Sequence, residues 1–313
     1  MAYVSTLQPD TGQLDASRPP AVQERASPFL LRQPGTDEGG ALGPGMLLRE
    51  QAGELQVLPI VHPDRQRPKL NFAKAWRHFS AVLKDKEQTD ELIGVFDALP
   101  WRAVGEAAGA FLSSERGRAI YQAEPYLPDF LDDHAALRRT PKGSFARAYC
   151  DFMEREGLSA AGLVIASGSD RNGLPQLADG VEWYGDRLRD THDILHVLTG
   201  YGRDALGEQC VLAFLFDQRP SPGHLAVSWA GTLLMKVKMK TRAPILRALV
   251  EARRNGKLSP RIVEQPIQEL FSMPLVAVRK KLNVADPSWY RKAHDVWRSE
   301  GIDPHAFLAK QAG

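Results

Sequence analysis

Apolar residues recur every three or four positions along most of the chain after residue 70, which is the period of an amphipathic α-helix. The first stripe consists of Phe72, Ala75, Trp76, Phe79, Val82 and Leu83. Further helices are predicted over about 89–99, 104–121, 129–138, 144–156, 179–199, 203–218, 223–254 with an interruption near Pro244, 260–271 and 274–282, followed by one or two short helices over 287–312. The segment 163–166 fits either a strand or a turn of helix. We therefore predict an all-α fold, built as a multi-helix bundle.

The first 68 residues lack such a pattern. Proline and glycine are frequent there and no apolar period persists, so little burial would offset the entropy of ordering this segment. We predict a largely disordered N-terminal extension over 1–68, followed by one helical domain over 69–313. Within the extension, Leu55 to Val61 form an apolar stretch that is able to dock on the body as a short extended piece.

Candidate chemistry lies in the predicted helix over 179–199. His192 and His196 are four residues apart, and Asp193 lies between them. An α-helix turns about 100° per residue, so positions i and i+4 lie about 40° apart, and all three side chains fall within about 100° of one face. Two imidazoles and a carboxylate on one helix face are typical metal ligands.

A fourth candidate ligand, Glu208, follows His196 after eleven intervening residues, on the next predicted helix. Gly200 and Gly202 lie between the two helices, and glycine commonly ends a helix in a left-handed turn. Along their helices, His196 and Glu208 lie about 6 and 8 Å from that turn. In an antiparallel helical hairpin they would face each other, so the sequence predicts a metal-binding hairpin.

These ligand types suit Zn²⁺ best, and they would also suit Fe²⁺ or Mn²⁺. An ion with an open position can hold water or substrate and act as a Lewis acid, so the same four residues are the candidate catalytic residues. One alternative is that a histidine pair at this spacing is incidental on an amphipathic helix. A zinc peptidase would carry glutamate at the position of Asp193, which argues against that class.

Composition narrows the functional classes. With 40 basic and 38 acidic residues the net charge is +2, which argues against a nucleic-acid-binding protein. The first residues lack the pattern of a secretory signal or a mitochondrial presequence, and no apolar run is long enough for a membrane span. Cys150 and Cys210 are predicted to be buried, reduced thiols. We predict a cytoplasmic protein, with the residue usage of a bacterial one.

One further segment allows two interpretations. Between Lys236 and Arg261 there are nine basic residues and a single acid, Glu251, with apolar residues before and among them. Such a surface could bind anionic lipid at the inner face of a membrane, because each basic residue contributes about 1 kcal/mol near the headgroups. The alternative is a solvated helix face with a buried apolar stripe.

The sequence around the histidines resembles one known family. The pattern His192-Asp193-x-x-His196-x11-Glu208 resembles the metal motif of the coenzyme Q biosynthesis protein 4 family, which serves ubiquinone synthesis. The residues before the motif (184–191), those after it (196–200) and an upstream segment (141–149) are similar as well. The resemblance spans roughly 70–290 and is strongest over 140–218.

The resemblance implies an all-helical fold and an apolar cavity near the metal that binds an isoprenoid lipid. It also implies oxidative removal of the carboxyl at C1 of a polyprenyl-hydroxybenzoate intermediate, in association with other coenzyme Q biosynthesis proteins and peripheral to a membrane. By the same resemblance, the family's metal-binding positions correspond to His192, Asp193, His196 and Glu208.

Two other functions remain open at this point. The protein could be a non-catalytic, lipid-binding scaffold whose metal is structural, which is an older view of the family. It could also be a metal phosphohydrolase of the HD type, for which His134 and Asp217 are the nominal further ligands. Association into a homodimer is open as well.

Overall fold

Helices make up most of the molecule, as the sequence pattern predicts. The computed structural model describes residues 45–51, 54–84, 89–167 and 176–305. These residues form sixteen α-helices, one short 3-10 helix and one two-stranded sheet. The all-α prediction is confirmed. The predicted disorder of residues 1–44 lies outside the described residues.

A β-hairpin forms the described part of the predicted N-terminal extension. Strands β1 (Met46–Gln51) and β2 (Glu54–Pro59) pair antiparallel, with the first residue of β1 opposite the last residue of β2. Leu47 and Ile60 are 2% and 3% exposed and belong to a core cluster with helical residues. The docking predicted for 55–61 is therefore present. The strand pairing was not predicted, because β1 lacks an alternating pattern of apolar and polar residues.

Eight helices follow the hairpin. They are α1 (Phe72–Lys84), α2 (Thr89–Ala98), α3 (Val104–Ser113), α4 (Glu115–Ala123), α5 (Leu127–Asp132), α6 (His134–Leu137), α7 (Phe145–Glu156) and α8 (Ala160–Ala166). The helix predicted over 104–121 is divided, because Ser114 has an extended backbone and its hydroxyl accepts a hydrogen bond from Gly117 N. Segment 163–166 is helical, and α7 begins after Ser144, whose side chain accepts a hydrogen bond from Arg147 N.

The remaining helices include the two that form the predicted metal hairpin. They are α9 (Gly180–Asp190), α10 (His192–Thr199), α11 (Ala205–Gln218), α12 (Pro222–Met239), α13 (Ile245–Leu258), a 3-10 turn (Ile262–Glu264), α14 (Ile267–Phe271), α15 (Leu275–Lys281) and α16 (Ser288–Glu300). The prediction of one helix over 179–199 is wrong. Thr191 has φ −83° and ψ 0°, and it separates α9 from α10.

Helix α11 lies at the centre of the largest core cluster. Leu206, Cys210 and Phe214 on this helix are completely buried. A helix that is apolar all round is enclosed by its neighbours, and α11 packs against α10, α12 and α13. Cys150 and Cys210 are free, buried thiols whose pKa values are raised by burial, which agrees with the prediction of reduced cysteines.

Candidate metal centre

Four side chains from α10 and α11 converge at one point. His192, Asp193 and His196 each offer a ligand atom, and these atoms lie within 4.8 Å of one another. On α11, Glu208 Oε2 lies 3.7 Å from His196 Nε2 and 3.9 Å from His192 Nε2. The structure brings Glu208 to the two histidines, while the ligand atoms that all lie within 4.8 Å of one another are those of the three α10 residues. That the four side chains bind a metal ion stays a prediction.

The break at Thr191 sets the position of the histidine pair. Thr191 Oγ1 donates a hydrogen bond of 2.8 Å to the Arg187 carbonyl oxygen, and α10 begins at His192. The two histidines therefore occupy successive turns of a short, separate helix, with ring centroids 5.2 Å apart. Although the predicted helix 179–199 is divided, His192 and His196 still lie one turn apart on the same helix, because both belong to α10.

A tight turn returns the chain from α10 into α11. Gly200 has φ +79° and ends α10 in the left-handed conformation, as predicted. Farther on, a Cβ atom on Gly207 would lie 1.9 Å from the Gly202 carbonyl oxygen, so only glycine fits at position 207. This close approach holds the first turn of α11 against the end of α10. Glu208, the next residue, consequently faces the histidines.

A buried cap fixes the start of α11. Asp204 accepts hydrogen bonds from the backbone N–H groups of Leu206 and Gly207, at 3.1 and 3.2 Å. From α16, the Tyr290 hydroxyl donates to the same carboxylate, and His294 Nε2 lies 3.4 Å from it. Burial alone would raise the pKa of Asp204, but these contacts lower it below its usual value. Helix α16 thus helps to position the acidic ligand candidate.

His196 has the environment of a metal-binding histidine. Its side chain is 1% exposed, and Nδ1 donates a hydrogen bond to the Tyr201 carbonyl oxygen at 3.0 Å, since a carbonyl can only accept. This leaves a lone pair on Nε2, which is buried and has no hydrogen-bond partner among the described residues. A backbone carbonyl that fixes the far nitrogen is common for histidine ligands. Phe152 stacks on the ring with centroids 5.5 Å apart and keeps its orientation.

The electrostatics of the cluster favour a cation. Burial and the neighbouring His196 lower the pKa of His192, so that ring is neutral at physiological pH. Burial raises the pKa of Asp193, although His196 and Arg203 act in the opposite direction. Arg203 Nε lies 3.9 Å from Glu208 Oε1. A divalent cation would add the positive charge that keeps both buried carboxylates ionised.

Distances and donor types also fit one divalent ion. Two ligand atoms bound at about 2.1 Å to a tetrahedral ion lie about 3.4 Å apart. The separations of 3.7 and 3.9 Å between Glu208 and the imidazoles approach this value. Two nitrogen and two oxygen donors suit Zn²⁺, Fe²⁺ or Mn²⁺. The His192 side chain is 26% exposed, so one side of the centre is accessible.

Two polar side chains near the centre were not predicted from the sequence. They are Arg219, just after α11, and His224, in the first turn of α12. Besides burial, Arg219 contributes to the lowered pKa of both His192 and His224. Arg219 Nε and His224 Nδ1 are buried and have no hydrogen-bond partner among the described residues. Spacing gave no signal for them, because they approach His192 only through the packing of three helices.

The residues nominated for a phosphohydrolase lie elsewhere. His134 Nδ1 is 3.2 Å from a carboxylate oxygen of Glu154 on α7. Asp217 accepts a hydrogen bond of 3.1 Å from Arg253. Within the described ranges, neither belongs to the group of side chains that could hold a metal. The structure therefore does not assemble the ligand set that this function requires.

The fold and the centre define an all-helical protein with a candidate divalent-metal site between two consecutive helices. Residues 98–288 match the family described as "Coenzyme Q (ubiquinone) biosynthesis protein Coq4". This match covers more than half of the sequence, and the chain belongs to the Coq4 family. The resemblance found in the motif and its flanks is confirmed.

Relatives and a solved structure agree with this family. The chain is 27% identical over 173 residues to the ubiquinone biosynthesis protein COQ4 homolog, mitochondrial, of Bos taurus, covering 55% of this chain and 62% of the bovine one. For the homolog from Nematostella vectensis the identity is 28% over 172 residues, with coverage of 54% and 78%. A crystal structure from Nostoc punctiforme, provisionally named a ubiquinone biosynthesis protein, has TM-score 0.52 at 20% identity. It covers 70% of this chain and all of its own, and it supports the fold alone.

Proposed function

We propose that this chain is a metal-dependent enzyme of ubiquinone biosynthesis, which oxidatively removes the carboxyl at C1 of a polyprenyl-hydroxybenzoate intermediate. Membership of the Coq4 family supports the pathway. The observation that carries the catalytic part is the lone pair of His196 Nε2, which is buried without a hydrogen-bond partner in the described part of the chain and lies 3.7 Å from Glu208 Oε2. A purely structural cluster would have no need of an accessible neighbour such as His192.

The four motif residues would hold the ion, with Zn²⁺ as the first candidate and Fe²⁺ or Mn²⁺ as alternatives. When bound, such an ion acts as a Lewis acid toward a phenolic or carboxylate oxygen. The protein holds its ligands in place beforehand: Tyr201 and Phe152 fix the His196 ring, and the Asp204 cap fixes the turn that carries Glu208. Preorganised ligands lose little free energy to rearrangement during the reaction.

The buried surroundings would assist the chemistry. Loss of CO₂ leaves an electron pair at C1 of the aromatic ring. Molecular oxygen, as the external oxidant, takes up two electrons and two protons to give hydrogen peroxide, and a hydroxyl from water forms the new C–O bond at C1. Negative charge therefore builds on the headgroup. The low dielectric around Phe152 strengthens the attraction between this negative charge and the positive charge of Arg203, whose side chain is 8% exposed.

Because a prenylated substrate resides in a membrane, we also propose that this protein contacts a membrane surface and other coenzyme Q biosynthesis proteins. Within the described residues, no helix has both the length and the apolar character needed to cross a bilayer. Much of the basic segment 236–261 serves internal packing, since Lys236 donates to the Thr241 carbonyl oxygen and Arg247 lies over the Trp289 ring. Val237, 72% exposed, remains available for lipid. The predicted cytoplasmic location stays a prediction.

Metal analysis combined with an activity assay tests the proposal. We expect one divalent ion per purified chain and turnover of a polyprenyl-hydroxybenzoate in the presence of oxygen. Glu208→Gln should lose both, whereas Glu154→Gln, a surface acid paired with His134 and Arg138, should keep both. Stoichiometric metal without turnover would favour the scaffold with a structural ion. A wild-type protein that never holds a stoichiometric ion would contradict the metal centre.

A further inference from the structure

The turn over residues 200–204 separates the candidate ligands of α10 from the candidate ligand of α11. Across this turn, His196 Nε2 lies 3.7 Å from Glu208 Oε2. Helix α10 has only 8 residues, and helices shorter than about 12 residues are marginal by themselves in water. Contacts from outside the hairpin are therefore needed to hold the two sides of the turn at this separation.

Arg279, on α15, holds the end of α10. Its Nε atom donates a hydrogen bond of 2.8 Å to the Leu198 carbonyl oxygen, and its Nη2 atom donates one of 3.1 Å to the Val197 carbonyl oxygen. The last four carbonyl groups of a helix have no partner within the helix, and a positive charge beside them is favourable. Arg279 supplies two of the missing partners, so it fixes the helix that carries both histidines relative to α15.

Tyr290, on α16, holds the other side of the turn. Its hydroxyl accepts a hydrogen bond of 2.9 Å from Gly202 N and donates one to the Asp204 carboxylate, which caps α11. The tyrosine is buried, and its ring lies edge-on to that of Tyr201 with centroids 5.4 Å apart. One buried hydroxyl thus joins the middle of the turn to the start of the helix that carries Glu208.

The two contacts come from neighbouring elements that are anchored elsewhere in the fold. Glu251, on α13, accepts a hydrogen bond of 2.9 Å from Trp289 N in the first turn of α16, and α13 packs against both α11 and α16. At the turn itself, a Cβ atom on Gly200 would lie 3.4 Å from Arg279 Nη2 and 3.4 Å from Pro287 Cγ. Helix α15 and the segment that begins α16 therefore both reach the turn between the ligand helices.

We propose that Arg279 and Tyr290, which we call the turn clamp, are positioning residues for the candidate metal centre. Arg279 acts on the backbone of the histidine helix, and Tyr290 acts on the cap of the helix that carries Glu208. Together they keep the acidic ligand candidate at the distance from the imidazoles that one ion requires. Contacts that orient metal ligands from outside typically contribute a factor of about 10 to 100 to metal affinity. The inference rests on the proposed function, whose ion supplies one of the two measurements that test it.

Hydrogen exchange of the full-length, chelator-treated protein tests whether the clamp holds the turn. Arg279→Gln removes the guanidinium, and Tyr290→Phe removes only the hydroxyl. Amide protons exchange faster where local opening becomes easier, so we expect faster exchange in peptides that span 197–208 in both variants. Exchange at the wild-type rate in this segment would overturn the proposal, and this measurement needs no metal.

Metal affinity tests whether the clamp matters to the centre. We expect the Kd for Zn²⁺, measured in competition with a chromophoric chelator, to rise about tenfold or more in each variant. The visible absorption of bound Co²⁺ depends on its coordination geometry and should also change, which a merely structural role would not cause. A wild-type Kd and spectrum in either variant would overturn the proposal, because the clamp needs both sides of the turn.

Two variants elsewhere in the fold are matched controls. Arg118 donates hydrogen bonds of 3.3 and 3.0 Å to the last two carbonyl oxygens of α3, much as Arg279 does at the end of α10. Tyr184 is a buried tyrosine whose hydroxyl donates to Glu264 at 2.9 Å. Arg118→Gln and Tyr184→Phe should cost stability and leave both the exchange of the turn and the Kd for Zn²⁺ unchanged. Equal weakening of Zn²⁺ binding in these controls would assign the effect to general stability and overturn the clamp.

The two measurements separate the turn clamp from the proposed function. A wild-type protein that binds Zn²⁺, with clamp variants that bind it equally well, would contradict the clamp and leave the metal centre standing. A wild-type protein that never binds an ion would contradict the proposed function. In that case the exchange of the metal-free protein still decides whether Arg279 and Tyr290 hold the turn.

Discussion

Two arginines have different surroundings: Arg187 is 2% exposed, whereas Arg219 is only partly buried. Arg187 on α9 donates to the Val263 and Gln265 carbonyl oxygens and to the Glu124 carboxylate, at 2.5 to 2.7 Å, with one nitrogen, Nη1, left without a partner. Arg219 has no ion pair and no acceptor for its buried Nε among the described residues. The same side chain therefore joins helices in one place and, among the described residues, forms no such link in the other.

The comparison separates parts of the molecule that build the fold from parts that are available for binding. Glu124 also accepts a hydrogen bond from Gln268 N at 2.7 Å, so the Arg187 network links α4, α9 and α14. Arg187 thus makes three side-chain hydrogen bonds, whereas the buried nitrogen atoms His196 Nε2, Arg219 Nε and His224 Nδ1 make none among the described residues. Local departures from complete hydrogen bonding are expected at functional sites, where a ligand completes them.

Breaking the Arg187 network should give the largest effect. Both side chains of the Arg187–Glu124 pair are 2% exposed, so Glu124→Gln leaves a buried charge without its counterpart. We expect a loss of about 3 to 5 kcal/mol in the free energy of unfolding, measured by denaturant titration. Arg219→Gln is the matched variant and should cost nothing or stabilise. Similar losses in the two variants would remove the distinction between the two arginines.

Metal binding should change stability by a somewhat smaller amount. Any ligand that binds only the folded state stabilises it, by about 2.7 kcal/mol at a free concentration one hundred times its Kd. We expect Zn²⁺ added to metal-free protein to raise Tm accordingly, and a chelator to reverse the rise. Glu208→Gln should abolish the shift and Glu154→Gln should keep it. A shift that persists in Glu208→Gln would place the ion elsewhere.

The cap of α11 should have an effect of intermediate size on stability. Asp204→Ala removes the carboxylate that accepts hydrogen bonds from two backbone N–H groups and from the Tyr290 hydroxyl. We expect the free energy of unfolding to fall by about 1 to 2 kcal/mol. Because the cap positions Glu208, the Zn²⁺-induced rise in Tm should also shrink. Asp133→Ala, which removes the cap of α6, is the control and should cost stability without altering the metal response. An unchanged metal response in Asp204→Ala would show that Glu208 is positioned by other contacts.

Much of this arrangement could be predicted from the sequence because its determinants are local. The i, i+4 histidines share a face in any helix, and Gly200 marks the end of α10 in the sequence as it does in the structure. Even the break at Thr191 did not disturb the prediction, since it falls before the motif. Local spacing therefore identified the candidate ligands, and the helical hairpin brought them together.

Other parts depend on contacts between distant residues and could not be predicted. Tyr290 reaches Asp204 from 86 positions away, and Arg187 meets Glu124 across 63. Arg219 and His224 carry no motif, and they lie on either side of the turn between α11 and α12, two helices that pack against each other. Side chains that complete a site through tertiary contacts leave no periodic signal in one sequence.

The smallest expected effect is a pH dependence from His224, which faces Arg219 and His192. Its pKa is lowered well below 6.5 in the folded state by burial first and by those neighbours second. Below pH 6.5 the unfolded chain therefore binds a proton that the folded protein excludes. The contribution of this ring to stability is complete above pH 6.5 and declines as the pH falls. Between pH 7 and pH 6 one such histidine costs about 0.7 kcal/mol.

Denaturant titrations of metal-free protein at the two pH values measure this term. His192 also has a lowered pKa and contributes a similar slope, so the comparison is between the wild type and His224→Gln, in which His192 is retained. We expect the variant to lose less stability on acidification, by about 0.7 kcal/mol. Equal losses would mean that the folded protein protonates His224 readily. The ring would then be as accessible as an ordinary surface histidine, and the contrast with the hydrogen-bonded Arg187 network would no longer extend to this residue.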